Sequence, residues 1–174
     1  MTWALSNPVA VRQTAETAIV ATGGLAGYDG MPSPTSVGGA VFRGTTRGFA
    51  GGGSGVTFAS TDPMVATVFA TQKRNLGTPI IEIVKMADLA HVPRLPSISP
   101  SLARIEAEII FDISPTDFSK LATQVPLDDA VRALNRMGIS VPSNVPLSDL
   151  SSVLRELEKL NQNQIDDFLR VIAQ

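Results

Sequence analysis

Two glutamates separated by one residue, Glu106 and Glu108, are the side chains in this sequence best placed to do chemistry. They lie in residues 105–113, a segment rich in β-branched and aromatic residues that predicts a β-strand. Residues two apart in a strand point to the same face, so we expect the two carboxylates to lie side by side. Two like charges at such a short distance are unfavourable unless a cation, a substrate or a shifted pKa relieves the repulsion. Taken alone, the pair fits a glycosidase or a cation site.

An arginine lies in a second stretch of interest, the apolar segment 40–46, where Arg43 is followed by Gly44 and Thr45. An arginine on a core strand needs a partner. Its planar guanidinium suits bidentate contacts with phosphate or carboxylate groups. The stretch therefore predicts either an anion-binding arginine or a salt bridge buried within the fold.

The third stretch contains two hydroxyl side chains, Ser60 and Thr61, at the end of a predicted strand over residues 56–60. Asp62 follows as a favourable N-cap and Pro63 suits the first position of a helix predicted over residues 63–73. Hydroxyls at such a junction can cap the helix or orient a neighbouring carboxylate. Capping alone is common, so the stretch indicates chemistry only together with the others.

The elements that must position these residues divide the chain into two parts. Residues 1–118 contain glycine-rich turns and candidate strands over 17–22, 39–44, 56–60, 79–84 and 105–113. From Ser119 onward, apolar residues follow a helical period in three stripes. We therefore predict an α+β domain over 1–118 and a helical extension packed on it over 119–174, with a partner-binding role for the extension as the alternative. The stripes are Leu127, Val131 and Leu134; Leu150, Val153, Leu154, Leu157 and Leu160; and Ile165, Phe168, Leu169 and Ile172.

Composition excludes several classes of protein. The 174 residues carry a formal net charge of −2, which gives no sign of binding to nucleic acid or to an anionic membrane. Cysteine is absent, so there is no disulfide framework and no thiolate metal site. The single histidine, His91, rules out a multi-histidine metal site and argues against a Ser-His-Asp triad. We also expect no signal peptide and no membrane span, which leaves open export by an injection machine or release from a larger precursor.

The order of the three stretches resembles the mono-ADP-ribosyltransferase superfamily of bacterial toxins and effectors. In the R-S-E form of that superfamily, an arginine strand is followed by a serine strand and then by a segment with a glutamate. Here these are the strand of Arg43, the Ser60-Thr61 strand with its helix, and the segment Glu106-Ala107-Glu108. The resemblance covers residues 41–118. One departure is Asp62, since the family usually has a second serine there. A second departure is the short interval between Arg43 and Ser60, which resembles the spacing in the diphtheria-toxin-like branch of the superfamily. The resemblance implies a split β-sandwich with flanking helices.

The resemblance also implies roles for the candidate residues. Glu108 would be the catalytic carboxylate, Ser60 would orient it, and Arg43 would hold a phosphate or ribose and brace the site. Glu106 would receive the acceptor, and a glutamate at that position implies an arginine acceptor. The loop over residues 93–104 would meet the target protein. NAD, as a substrate, would be bound by Arg43, Gly44, Thr45, Ser60, Thr61 and Phe69, with no metal.

The function implied is NAD-dependent ADP-ribosylation of a target-cell protein by a bacterial toxin or effector, secreted or injected into the target-cell cytoplasm. An immunity protein or a chaperone would then be a further partner. Two alternatives remain open. The same site could use water as the acceptor and act as an NAD glycohydrolase. A module that has lost turnover could instead use the glutamates to bind a cationic peptide.

Overall fold

The computed structural model describes residues 39–48, 55–74 and 76–174, and these form a mixed α+β structure around one sheet. The strands are β1 (Ala40–Thr46), β2 (Thr57–Ser60), β3 (Pro79–Lys85), β4 (Arg94–Leu95), β5 (Glu108–Phe111) and β6 (Thr123–Pro126). The α-helices are α1 (Pro63–Thr71), α2 (Pro100–Glu106), α3 (Pro115–Leu121), α4 (Leu127–Arg136), α5 (Leu150–Glu156) and α6 (Gln162–Ile172). Short 3₁₀ turns cover Met86–Leu89 and Leu147–Asp149.

The six strands lie in the order β4-β5-β2-β1-β3-β6, and neighbouring strands are antiparallel. The expected α+β class is therefore confirmed. The three strands that carry the candidate residues, β1, β2 and β5, are adjacent in the middle of the sheet, although β5 comes much later in the chain than β1 and β2. The sheet thus brings the backbone of the three stretches together.

The two faces of the sheet have different covers. On the face that we call the α1 face, Phe42, Ile81 and Val125 pack with residues of α1, α4 and α6. The edge of the Phe168 ring of α6 meets Phe42 at a centroid distance of 5.9 Å. On the opposite face, which we call the α3 face, buried residues pack against Phe118 of α3: Val41, Ala59, Val84, Ile109 and Phe111.

The segment after residue 118 is continuous with the sheet. Strand β6 pairs with β3 over Ile80–Ile83, and α4 follows it without an intervening loop. Helices α4 and α6 have the predicted apolar stripes facing the core, and Gly138 adopts the left-handed conformation (φ 77°) shortly after α4 ends. Helical periodicity did not predict β6, a four-residue edge strand with one buried side chain.

Most of the predicted elements agree with the structure to within two residues, but one does not. The strands predicted over 39–44, 56–60 and 79–84 and the helix over 63–73 are present as β1, β2, β3 and α1. The strand predicted over 105–113 is wrong in its first part, because residues 100–106 are helical and Ala107 is left-handed (φ 46°, ψ 44°). The strand predicted over 17–22 lies outside the described residues.

Candidate functional site

The two glutamates do not share a strand. Glu106 is the last residue of α2, Glu108 is the first residue of β5, and Ala107 makes the left-handed turn between them. The expectation that both carboxylates lie on one strand face is therefore wrong. Both side chains are nevertheless buried, with relative exposures of 3% for Glu106 and 5% for Glu108. Two carboxyl groups held out of water beside a sheet are costly in energy, so the junction of α2 and β5 remains chemically unusual.

Ser60 is registered directly opposite Glu108 on the neighbouring strand. Its Oγ donates a 2.6 Å hydrogen bond to the carbonyl oxygen of Glu106, and the same Oγ accepts a bond from the amide N–H of Asp62 at 3.1 Å. The amide of Thr61 donates to the carbonyl of Ala107 at 2.9 Å. The end of β2 therefore holds the backbone of the α2–β5 junction immediately before Glu108.

Ser97 contacts the Glu108 carboxylate directly. Its Oγ donates to Glu108 Oε1 at 3.1 Å. Ser97 lies between β4 and α2, within the segment 93–104 that the family resemblance assigned to target recognition. The sequence does not single out this residue, because Ser97, Ser99 and Ser101 are alike in a serine-rich stretch and only the fold distinguishes one from another.

Arg43 points away from Ser60 and Glu108. Ser60 is paired with Phe42 across β1 and β2, so both side chains lie on the α1 face, whereas Arg43 lies on the α3 face with its partner Glu82. Arg43 Nη1 and Glu82 Oε2 are 2.8 Å apart, and both side chains are largely buried. Ser119 Oγ donates a short 2.5 Å bond to the other carboxylate oxygen of Glu82. This arrangement is the salt bridge within the fold that was the alternative expectation for Arg43.

Gly44 has a packing role that its sequence position did not suggest. A Cβ at this position would lie 2.0 Å from the carbonyl oxygen of Ala66 and 2.6 Å from the amide nitrogen of Ala70. Only glycine lets the backbone of α1 come this close to β1. The α1 face above Gly44 is thus filled by the helix, and this face offers no space there for the nicotinamide approach that the resemblance implied. The neighbouring Thr45 is also buried.

Asp62 fixes the start of α1 to the C-terminal part of the chain. Its Oδ1 accepts from the amide of Met64 at 2.8 Å, as an N-cap does, and its Oδ2 accepts from the amide of Leu160 at 2.9 Å. Burial raises the pKa of the Asp62 carboxyl group above 3.8, although hydrogen bonds from the amides of Leu160, Met64 and Val65 and the nearby Lys159 ammonium act in the opposite direction. Burial in turn lowers the pKa of Lys159. Aspartate has a structural use here that serine, with one oxygen, could not supply.

The remaining proposed cofactor residues are spread around the junction. Phe69 is buried in a cluster with α5, against Leu150 and Leu154. Thr61 is partly exposed next to Ala107. Of the predicted site, the structure therefore brings together Ser60, Thr61 and the two glutamates, and it directs Arg43 and Phe69 elsewhere.

Comparisons with protein-family models, with curated proteins and with solved structures gave no match. Within the described residues, no helix is long and apolar enough to cross a membrane. The same residues contain no group of three or more histidine, cysteine or acidic side chains arranged to hold a metal ion.

Proposed function

We propose that this protein is an NAD-dependent mono-ADP-ribosyltransferase of bacterial toxin or effector type, with the split β-sandwich fold of that superfamily and Glu108 as its catalytic carboxylate. One observation carries the proposal: Ser60 and Glu108 are directly opposed on adjacent strands. The strand of Arg43 adjoins that of Ser60, so the R-S-E order in sequence corresponds to neighbouring strands in the sheet. The target would be a protein of another cell, reached by secretion or injection.

Glu108 would act by electrostatics on the ribose attached to nicotinamide. When the N-glycosidic bond breaks, the bonding electron pair leaves with nicotinamide and the ribose carbon becomes cation-like. A fixed carboxylate beside that carbon stabilises the developing charge, and the acceptor then forms the new bond and loses a proton. Ser97 would hold one oxygen of the carboxylate. The hydrogen bonds from the Ser60 hydroxyl and the Thr61 amide to the backbone carbonyls just before Glu108 would hold the residue in place.

Arg43 would have the bracing role alone. Its ion pair with Glu82 ties β1 to β3, and Ser119 adds α3 to the same network. A buried arginine whose charge is already matched by a carboxylate is a poor receptor for a phosphate, because a new anion would have to displace Glu82. Contacts to the phosphates of NAD would therefore come from residues other than Arg43.

The position of Glu106 favours a second candidate, an NAD glycohydrolase. The proposal of an arginine acceptor depended on a Glu106 carboxylate beside Glu108 on an accessible strand face. In the structure Glu106 is at the C-terminus of α2 and is 3% exposed, so a guanidinium on another protein would meet a covered side chain. Water needs no such receptor. The burial of Glu106 also argues against a module that binds a cationic peptide, because that reading needs both glutamates to reach the peptide.

The experiment is to incubate the protein with NAD labelled in its adenylate portion, with and without a cell lysate, and to measure both nicotinamide release and label on macromolecules. Glu108→Gln keeps the shape and removes the charge, so we expect NAD cleavage to fall by about two to three orders of magnitude. The control is Glu156→Gln, an exposed residue near the end of α5, which should leave cleavage unchanged.

The outcomes separate the candidates. Label on protein supports the transferase, whereas nicotinamide release without label supports the glycohydrolase. Normal NAD cleavage by a folded Glu108→Gln protein would refute the assignment of Glu108. Circular dichroism and a thermal melt of each variant are needed, because Glu108 is buried and its substitution can also affect the fold.

A further inference from the structure

A cavity of about 880 Å³ lies at the other end of the sheet from Ser60 and Glu108. It is bounded by β3, β6, α4 and the C-terminal end of α6, together with Ala40 at the start of β1. None of its lining residues belongs to β2 or β5, the strands of Ser60 and Glu108, so the cavity is distinct from the site proposed for NAD. Its volume lies within the range of about 300–1,000 Å³ that is typical of sites for small molecules.

The inner wall of the cavity is apolar. It is formed by side chains from four different elements. Two of these side chains are buried in the core under α4 and α6, and the others pack against that core. An apolar wall gains free energy when it covers an apolar part of a ligand. The wall includes Ile83, Val125, Ala133, Leu169 and Ile172.

The rim of the cavity is cationic. It carries Lys85 at the end of β3 and two arginines one turn apart on α4, Arg132 and Arg136. Asp129 supplies the carboxylate side chain of the lining, and it is 3.2 Å from Arg132. The lining also includes Gln174, the last residue of the sequence. Within the described parts of the chain, neither Lys85 nor Arg136 forms an ion pair with a carboxylate, so both positive charges are available to an anionic ligand.

We propose that this cavity binds a small amphipathic anion, with an aliphatic body against the apolar wall and a carboxylate or phosphate head group between Lys85 and Arg136. The guanidinium of Arg136 can donate two parallel hydrogen bonds to either head group, and Lys85 supplies a second charge. The positive charge of the rim favours an anion over a neutral amphiphile. The apolar wall favours an anion with a long aliphatic chain over a short anion such as acetate.

The test is isothermal titration calorimetry of the full chain with four probes, all below their micellar concentrations: decanoate, decyl phosphate, decanol and acetate. We expect one or both of the long anions to bind at least about ten-fold more tightly than decanol, with acetate not binding detectably. Whether decanoate or decyl phosphate binds more tightly identifies the head group.

The variant for this test is Lys85→Gln/Arg136→Gln, which should weaken binding of the long anion by about ten-fold or more. The matched control is Arg170→Gln, an exposed arginine of α6 that pairs with Asp167 outside the cavity. Glu108→Gln should bind the long anion as the wild type does, so the two proposed sites are tested independently. The proposal is overturned if decanol binds as tightly as the anions, or if the double variant retains wild-type affinity.

Discussion

Asp62 provides the sharpest test of how the structure is held together. Its carboxylate joins two backbone segments 98 residues apart, since one oxygen caps α1 through Met64 and the other accepts from the amide of Leu160. Asp62→Ala loses an N-cap worth about 0.5–2 kcal/mol and a charge-assisted hydrogen bond worth about 1.5–3 kcal/mol. Relief of the cost of burying a charge offsets part of this. We expect the free energy of unfolding to fall by about 2–4 kcal/mol.

Asp62→Asn separates the two contacts. Asparagine is as good an N-cap as aspartate, so the bond from Met64 should survive, whereas its amide NH₂ cannot accept from the amide of Leu160. We therefore expect Asp62→Asn to lower the free energy of unfolding, but by less than Asp62→Ala does. Urea denaturation of both variants gives the values, and Asp128→Asn is the control because Asp128 is an exposed residue in a surface ion pair.

The pH dependence gives a second readout of the same side chain. Burial raises the folded-state pKa of Asp62 above its unfolded-state value of about 3.8. Between these two pKa values the folded state binds more protons than the unfolded state. The contribution of Asp62 to stability is therefore fully present below pH 3.8 and is lost as pH rises through the raised pKa. Asp62→Asn has no such titration. The difference in unfolding free energy between wild type and Asp62→Asn should thus decrease as pH rises from 3 to 7, and a constant difference would refute the reasoning.

Three further substitutions test the packing around the proposed site, each by urea denaturation. Gly44→Ala should destabilise the protein by about 3 kcal/mol or more, because the added Cβ would overlap the backbone of α1. The control Gly138→Ala has open space around a left-handed backbone and should cost about 1–2 kcal/mol. Equal losses of stability in the two variants would contradict this reasoning. Glu82→Gln should cost about 3–5 kcal/mol by leaving Arg43 buried without its anion, and combining it with Arg43→Met should recover much of the loss if the charge is the cause. Ser60→Ala should cost about 1–3 kcal/mol because it leaves a buried carbonyl without its donor, and a neutral effect would show that this bond is unimportant.

The difference between the predicted and observed surroundings of the two glutamates has a specific cause. Residues 105–113 have strong β-propensity, and within 105–107 nothing in the local sequence indicates a helix. In the structure Ile105 packs against the cluster of α1 and α5 that contains Leu150 and Leu154, more than forty residues later in the chain. This contact stabilises α2 up to Glu106, and a left-handed Ala107 then lets the chain turn into β5. Tertiary packing has overridden a local preference.

Local sequence patterns were enough to predict these elements and their order: the strand of Arg43, the strand of Ser60 and the capped helix that begins after Asp62. These depend on propensity, on capping and on alternation, which act over a few residues. Two features depend on the tertiary fold: Arg43 faces Glu82 on the other side of the sheet from Ser60, and the Ser97 hydroxyl contacts Glu108. A shift of one residue in strand register reverses the face of every side chain, and register depends on contacts between residues distant in sequence.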